Sequence, residues 1–174
     1  MKKRYPTEFN VTPHSWLLPQ EFDEFDKLRK ALSDKNKYVI LKPTASSCGR
    51  GIRVVQTNQR LANREETIVS VYIDRPLLIN GKKFDMRMYV LVTSFHPLRA
   101  YLYQEGLARF ATENYSNNED VLKNKFIHLT NFSINKRNTN KYVKNDSKRP
   151  RAEKDAGTAE DDEDSSKWSL KHLK

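Results

Sequence analysis

Residues 81–92 have the sequence Gly-Lys-Lys-Phe-Asp-Met-Arg-Met-Tyr-Val-Leu-Val, in which charged and apolar side chains alternate from Lys83 to Met88. In an extended strand, side chains two positions apart point to the same face. Lys83, Asp85 and Arg87 therefore share one face of a predicted strand. The other face is a continuous apolar surface made by Phe84, Met86, Met88, Val90 and Val92. Because cations and a carboxylate crowded on one strand face are costly without a ligand, the pattern favours phosphate binding. A salt-bridge ladder on a solvated strand is the alternative.

The segments around this strand predict a mixed α/β fold. Residues 20–32 repeat apolar side chains at helical spacing, which predicts an amphipathic helix, whereas residues 1–19 hold three prolines and are expected to be irregular. The pair Asn80-Gly81 is the strongest two-residue hairpin signal in the chain. Residues 167–173 predict the first turns of another helix. Further strands are predicted over residues 38–42, 52–55, 67–73, 86–95, 98–103 and 106–111.

Charge is high and unevenly distributed along the 174 residues, with a formal net charge of +10. Residues 1–140 carry 23 Lys and Arg against 14 Asp and Glu, and residues 141–174 carry 9 against 8. The excess favours a polyanionic partner such as nucleotide, acidic protein or nucleic acid, although a solvated basic surface explains the charge equally well. The sequence resembles no nucleic-acid-binding module, so nucleic acid is not the expected partner.

Cysteine content and hydropathy narrow the expected location. The chain has one cysteine, Cys48, which excludes a disulfide framework and a cysteine zinc cluster within it. No run approaches the roughly 18 apolar residues that cross a bilayer, and the basic start is not followed by an apolar signal core. We therefore expect no membrane partner and a cytoplasmic or cytoskeletal location.

A lysine that ends a strand before proline, followed by a loop of small residues, suits a nucleotide phosphate. Lys42 is that lysine, and residues 44–51 form the loop, in which small side chains let main-chain N–H groups approach oxygen. The loop is not a P-loop, since no Gly-Lys-Ser/Thr follows at the required spacing. An ordinary hairpin with a surface lysine is the alternative.

Polar side chains also cluster in residues 128–133, His-Leu-Thr-Asn-Phe-Ser, which follow the predicted strand that carries Arg109. A polar turn explains this cluster almost as well as a binding site does. A lone histidine such as His128 is more often structural than catalytic.

Eight short motifs, taken in order, resemble the tubulin tyrosine ligase-like family in its glutamate-adding branch. The resemblance covers residues 5–140 and resumes at 167, and it is specific because the motifs share one order and compatible spacing. The motifs are Tyr38-Val-Ile-Leu-Lys-Pro, Cys48-Gly-Arg-Gly-Ile, Tyr72-Ile-Asp-Arg-Pro-Leu-Leu-Ile, Lys83-Phe-Asp-Met-Arg-Met-Tyr-Val-Leu-Val-Thr-Ser, Pro97-Leu-Arg, Glu105-Gly-Leu-Ala-Arg-Phe-Ala-Thr, His128-Leu-Thr-Asn-Phe-Ser-Ile-Asn-Lys and Lys167-Trp-Ser.

The resemblance implies an α/β, ATP-grasp-like fold that is incomplete here, with the C-terminal metal-binding part missing. Residues 1–67 would then be the N-terminal or ATP-lid part. Residues 68–140 would form the central sheet with the nucleotide and glutamate contacts. We expect residues 141–166 to be a disordered charged insertion and residues 167–174 to start a truncated helix.

The resemblance also implies an ATP-dependent protein-glutamate ligase, a tubulin polyglutamylase that forms isopeptide-type amide bonds through an acyl phosphate. Such an enzyme mainly positions groups and neutralises charge. The implied cofactors are ATP and Mg²⁺, and the implied partners are free L-glutamate and the acidic C-terminal tails of tubulin or microtubules. We expect a monomer in the cytoplasm and on microtubules, including those of the cilium or basal body.

The family's functional residues carry over onto matching positions. Lys83 and Arg87 are the expected catalytic residues, with Arg87 facing the γ-phosphate or the acyl phosphate. The implied ATP contacts are Lys42, Cys48, Gly49, Arg50, Gly51, Ser70, Val71, Tyr72, Ile73, Lys83, Asp85, Thr130 and Asn131. The implied glutamate contacts are Arg109, Phe132, Ser133 and Lys167, and Arg109 would hold a carboxylate by charge-assisted hydrogen bonds.

The chain departs from the family pattern in three respects. Phe132 stands where tyrosine is usual, which removes a hydroxyl from the implied glutamate pocket, and Ser70 stands where glutamine or lysine is common. The family holds its metal with an Asp and a later Glu-x-Asn motif, which we expect downstream of this chain. We therefore expect a fragment that is inactive, or nearly so, on its own. The alternative is a non-catalytic product that binds microtubules or nucleotide.

Overall fold

The computed structural model describes residues 4–32, 38–61, 66–143 and 165–173. These residues belong to two compact units. The first unit comprises residues Met1–Pro76 and Asn117–Lys125, and the second comprises Leu77–Ser116 and Phe126–Lys174. The predicted mixed α/β class is confirmed, and every strand pairing in the described ranges is antiparallel.

The first unit is a four-stranded sheet covered by one helix. Its strands have the order β1-β4-β2-β3 and are β1 (Ser15–Leu18), β2 (Tyr38–Pro43), β3 (Arg53–Gln56) and β4 (Thr67–Val71). The predicted helix is confirmed as α1 (Phe22–Leu32), which has acidic residues in its first turn, where they favour the helix dipole. Its Phe25 ring lies 5.2 Å from that of Trp16. The core is made by Trp16, Leu18, Phe25, Val39, Leu41 and Val69.

The prediction that residues 1–19 are irregular is wrong at β1. Trp16 and Leu18 are both buried, whereas Ser15 and Leu17 are exposed, so the segment shows the two-residue alternation of a half-buried strand. Only two buried positions lie between Pro13 and Pro19, which is too short a repeat to recognise from sequence. Pairing with β4 supplies the strand's hydrogen bonds.

The second unit is built on a sheet with the order β10-β9-β6-β5. Its strands are β5 (Leu78–Ile79), β6 (Lys82–Arg87), β9 (Leu107–Asn114) and β10 (Lys167–Ser169). The predicted hairpin is confirmed between β5 and β6, where Asn80 and Gly81 take φ values of 48° and 70°. Two positive φ angles in a two-residue turn match the right-handed twist of the flanking strands.

The prediction of one continuous strand over residues 86–95 is wrong. The chain leaves the strand at Met88 and Tyr89, so that β6 pairs with β9, while β7 (Val90–Phe95) pairs with β8 (Leu98–Leu102) in a separate two-stranded sheet. The expected apolar face is likewise not buried beyond Phe84, since Met86 is 54% and Val90 is 60% exposed. The reason is that β7 packs extensively only against β8 among the described elements.

The remaining helices of the described residues are short turns. A 3-10 helix (Glu119–Val121) in the first unit precedes α2 (Lys125–His128) and α3 (Phe132–Asn135), and α4 is Leu170–Leu173. The predicted helix start at 167–173 is therefore wrong for its first three residues, because Trp168 enters the core through strand pairing with β9. The predicted insertion lies mostly at residues 144–164, outside the described residues. No helix among the described residues is long and apolar enough to span a membrane.

Candidate functional site

One face of the second unit's sheet gathers charged side chains from three strands. Asp85 on β6 lies directly opposite Arg109 on β9, and Arg109 lies directly opposite Lys167 on β10. Directly opposed residues in antiparallel strands present their side chains to the same face. By strand alternation, Lys83 and Arg87 share that face. The charged face therefore holds Lys83, Asp85, Arg87, Arg109 and Lys167.

The opposite face of the same sheet explains why the charged face is turned away from the core. Ala108, Phe110 and Trp168 are buried there, and Phe84 packs against them. The rings of Phe110 and Trp168 lie 4.6 Å apart. Within β6, Phe84 packs against this core as the alternation predicts, whereas Met86 on the same predicted face is 54% exposed.

Asp85 and Arg109 form a two-pronged ion pair at the centre of the charged face. Arg109 Nε donates to Asp85 Oδ1 at 3.0 Å, and Arg109 Nη2 donates to Asp85 Oδ2. Their side chains are 37% and 25% exposed respectively, so the pair is accessible to a ligand. The hydrogen bonds to Asp85 raise the pKa of Arg109, with burial acting against them. The sequence pattern placed the Asp85 carboxylate between Lys83 and Arg87 on the same strand. In the structure Asp85 pairs with Arg109 on the neighbouring strand.

Lys167 lies over the aromatic ring of Phe132, the first residue of α3. Its Nζ is 4.1 Å from the centroid of the Phe132 ring, which is a cation–π contact. Tyr142 meets the same ring edge-on at 5.8 Å, and Lys136 Nζ lies 5.4 Å from its centroid. Three of the four predicted glutamate contacts, Arg109, Phe132 and Lys167, are thereby brought next to one another.

The polar segment 128–133 contains the remaining predicted contacts of this unit. His128 is buried and its ring meets that of Tyr115 edge-on at 5.9 Å, which fits a structural role. Asn131 is the N-cap residue of α3, yet its side chain makes no capping hydrogen bond. Thr130, Asn131 and Ser133 are partly exposed, so their side chains are accessible from solvent.

A buried asparagine that the sequence reasoning missed holds this segment in place. Asn135 is 1% exposed. Its Oδ1 accepts from the main-chain N–H and the hydroxyl of Thr112 on β9, and its Nδ2 donates to the carbonyls of Leu129 and Asn131. The sequence signal was available: asparagines recur at 131, 135 and 138, at helical spacing, although asparagine is a poor helix former.

The predicted phosphate loop lies in the first unit, between β2 and β3. Three residues of this loop take positive φ angles, which are 59° at Cys48, 79° at Gly49 and 72° at Gly51. A side chain at position 51 would place its Cβ 2.7 Å from Pro43 Cγ, so the loop folds tightly onto the strand end. Lys42 and Arg50 are exposed beside it. β2 and β3 form an antiparallel hairpin, so the loop geometry alone does not separate a phosphate loop from an ordinary turn.

The predicted adenine hinge, residues 70–73, also lies in the first unit. The hydroxyl of Ser70 is buried and accepts a hydrogen bond from that of Ser15 at 2.8 Å. The N–H groups of Val71 and Tyr72 donate to the carbonyls of His14 and Tyr38. Ile73, the last residue of the predicted hinge, is 56% exposed.

A second polar cluster lies at the far end of β9. Glu113 pairs with Lys141 and accepts from Asn138 Nδ2 at 3.0 Å, and these interactions lower its pKa, the Lys141 hydrogen bond most. Beside the pair is an open cavity of about 480 Å³. It is lined by Lys82, Thr112, Glu113, Asn114, Ile127, Lys141 and Val143.

Comparison with known proteins gives one family and several close relatives. A family model described as the tubulin-tyrosine ligase family matches residues 1–171. The chain is 44% identical over 147 residues to tubulin polyglutamylase TTLL13 of Mus musculus, an alignment that covers 84% of the chain and 18% of that protein. It is 43% identical over 141 residues to a probable beta-tubulin polyglutamylase of Tetrahymena thermophila, covering 80% of the chain and 12% of that protein.

A relative named for a different glutamylation step is just as similar. Tubulin monoglutamylase TTLL4 of Mus musculus is 47% identical over 134 residues, covering 76% of the chain and 11% of that protein. The chain thus spans less than a fifth of the length of these curated relatives.

Proposed function

Because the chain belongs to the tubulin-tyrosine ligase family, we propose that it carries substrate-binding parts of an ATP-dependent ligase that adds glutamate to tubulin. The relatives just described are named as tubulin polyglutamylases and a monoglutamylase, which supports glutamate as the amino acid that is added. The proposed fold is ATP-grasp-like, with the phosphate loop and hinge in the first unit and the glutamate contacts in the second.

The proposed chemistry proceeds in two steps. A carboxylate of the protein substrate attacks the γ-phosphate of ATP, which forms an acyl phosphate and releases ADP. The amine of free L-glutamate then attacks the acyl carbon, forms an amide and releases phosphate. Carboxylate oxygen is a poor leaving group at neutral pH, so phosphorylation makes the second step accessible. Arg87 and Lys83 are proposed to neutralise the transferring phosphoryl group.

The observation that carries the proposal is the charged face of the second unit. It presents four cations, Lys83, Arg87, Arg109 and Lys167, against one carboxylate, Asp85. Such a face suits anionic ligands because its summed charge is positive. The apolar core on the opposite side of the sheet also keeps water away from that side. The phosphates of ATP and the carboxylates of glutamate are the anions that the proposed reaction requires.

Arg109 has the donors to hold Asp85 and a ligand at the same time. A guanidinium carries five N–H donors in a planar fork, and Asp85 takes one from Nε and one from Nη2. The donors left on the outer edge are therefore proposed to bind a carboxylate of the incoming glutamate. Lys167, held over Phe132, adds a second cation to the same carboxylate.

The donor set required for Mg²⁺ is not found in the part of the chain that the structure describes. No group of three or more His, Cys, Asp and Glu side chains among those residues lies close enough to hold a metal ion. We therefore assign no step of the reaction to a metal bound by these residues.

The proposed protein substrate is an acidic tubulin tail, and the proposed location is the microtubule cytoskeleton. The net charge of +10 supports long-range attraction of an acidic polypeptide. The tubulin-modifying relatives support the same partner.

Titration of the chain with L-glutamate in the presence of an ATP analogue tests the proposal. We expect saturable binding of L-glutamate and none of L-glutamine, whose neutral amide removes the charge that Arg109 recognises. Arg109→Ala should weaken L-glutamate binding by about 10-fold or more, since hydrogen bonds to charged groups contribute about 1.5–3 kcal/mol.

Lys171→Ala is the matched control for the loss of one cation. Lys171 is 81% exposed and pairs with Glu105 outside the charged face, so its removal should leave L-glutamate binding unchanged. Equal binding of L-glutamate and L-glutamine, or no binding of either, would contradict the proposal. Binding of nucleotide or microtubules without L-glutamate would favour the non-catalytic alternative.

A further inference from the structure

Asn135 joins the strand that carries Arg109 to the segment that carries Asn131 and Phe132. Its Oδ1 accepts from the Thr112 N–H at 3.0 Å and from Thr112 Oγ1 at 2.9 Å. Its Nδ2 donates to the Leu129 carbonyl at 2.8 Å and to the Asn131 carbonyl at 3.2 Å. Both lone pairs and both N–H groups of the amide are thus satisfied in a site that is 1% exposed.

The orientation of this amide is fixed by its partners. The Thr112 main-chain N–H donates only, and the two carbonyls accept only, so one placement of Oδ1 and Nδ2 satisfies all of them. The amide therefore acts as a two-sided link with a strand side and a segment side. Each side can be broken separately by substitution.

The Asn131 main chain is held much more firmly than its side chain. Its carbonyl accepts from the N–H groups of Ile134 and Asn135, both at 3.0 Å, as well as from Asn135 Nδ2. The Asn131 side chain makes no capping bond and is partly exposed. A fixed main chain with an uncommitted amide is the arrangement expected of a residue that awaits a ligand.

We propose that Asn135 is a positioning residue that sets Asn131 and Phe132 at the correct distance from Arg109 for ligand binding. The inference rests on the proposed function, which assigns those residues to nucleotide and glutamate. Asn135 itself is buried and touches neither ligand. It acts through Thr112, which lies three positions after Arg109 on β9, and through the 129–131 main chain.

Asn135→Asp tests the segment side of the link. The carboxylate keeps an acceptor for Thr112 but offers no donor to the Leu129 and Asn131 carbonyls. Affinities for L-glutamate and for ATP, measured by calorimetric titration of the full chain, should each fall about 10-fold or more. Amide hydrogen exchange of residues 131–136 should become about 10-fold faster or more, while the amides between β6 and β9 keep their protection from exchange.

Thr112→Val tests the strand side and guards against a misfolded first variant. It removes the hydroxyl that donates to Asn135 and accepts from Asn138, and it retains the main-chain N–H, with little change in side-chain volume. A smaller loss of affinity, about 2- to 5-fold, is expected for both ligands.

Asn138→Ala is the matched control. Asn138 Nδ2 donates to Thr112 Oγ1 at 3.1 Å and to Glu113 Oε1 at 3.0 Å, so the variant removes partly buried hydrogen bonds from the same network without touching the 129–131 main chain. A purely structural network predicts equal effects of Asn138→Ala and Asn135→Asp. Positioning predicts that ligand affinity falls with Asn135→Asp and not with Asn138→Ala.

The outcomes separate this inference from the function on which it rests. If wild-type protein binds both ligands and Asn135→Asp binds them equally well, the positioning role is overturned and the proposed function stands. If wild-type protein binds neither ligand, the proposed function is overturned, and the role of Asn135 with it. Faster exchange of residues 131–136 together with weaker binding supports the proposal.

Discussion

The Glu113 carboxylate lies between an ammonium group and an amide, and its titration is coupled to folding. The hydrogen bond from Lys141 is the main cause of its lowered pKa, and Asn138 and the charge of Lys82 act in the same direction. A depressed folded-state pKa stabilises the fold above the unfolded value of 4.5, and this contribution disappears as the pH falls through the folded-state pKa. Stability should therefore decline as the pH is lowered below that value.

Glu113→Gln should remove this part of the decline. At neutral pH the variant should lose about 1 kcal/mol or less, because the Lys141 side chain is 57% exposed and solvent screens the pair. Urea denaturation at pH 7 and at several values below 4.5 measures the difference. Parallel acid profiles for the variant and the wild-type protein would contradict the assignment.

The contact between Lys167 and Phe132 yields a second prediction at the residue scale. Phe132→Leu removes the aromatic face but keeps apolar bulk, so Lys167 should lose its position and L-glutamate affinity should fall about 2- to 5-fold, as expected for a partly exposed cation–π pair. Phe132→Tyr keeps the face and should retain binding. The prediction is wrong if Phe132→Leu and Phe132→Tyr bind L-glutamate with the same affinity.

At the scale of elements, the start of β9 depends on a residue without a side chain. A Cβ at Gly106 would lie 2.4 Å from the Arg87 carbonyl oxygen and 2.8 Å from Leu170 Cδ1. Gly106→Ala should therefore force β6, β9 and α4 apart and destabilise the chain by about 1–3 kcal/mol. Urea denaturation measures the loss of stability. Adding Leu170→Ala to Gly106→Ala removes the clash with the Leu170 side chain but not the clash with the Arg87 carbonyl. The double variant should therefore regain little stability.

The elements that sequence predicted well are those whose signal is local. α1 shows helical periodicity over three turns, and Asn80-Gly81 requires the positive φ angles of a hairpin turn. β1 and β10 were missed because each is defined by pairing with a distant strand. The charged face followed from the two-residue alternation of β6, but the Asp85–Arg109 pair and the Asn135 link depend on strand register and on burial, which the sequence does not state.

At the scale of the whole molecule, most of the positive net charge lies before residue 141. Residues 1–140 account for a net charge of +9 out of +10, since 23 basic residues there face 14 acidic ones. Exposed apolar side chains are concentrated on β7 and β8, where Val90, Leu91, Phe95 and Leu98 are all at least 60% exposed. An acidic polypeptide should therefore be attracted to the charged face of the second unit rather than to the apolar side chains of β7 and β8.

This division predicts how binding of an acidic probe responds to salt. Poly-L-glutamate should bind the chain, and raising the salt concentration from about 50 to about 150 mM should weaken binding about 10-fold, because exposed charges are screened beyond roughly 8 Å at the higher concentration. Arg87→Gln, which removes one cation of the charged face, should reduce the salt dependence measurably. Val90→Thr on β7 should leave it unchanged. Fluorescence anisotropy of labelled poly-L-glutamate measures both. A salt-independent affinity, or equal effects of the two variants, would show that apolar contacts rather than the charged face bind the acidic chain.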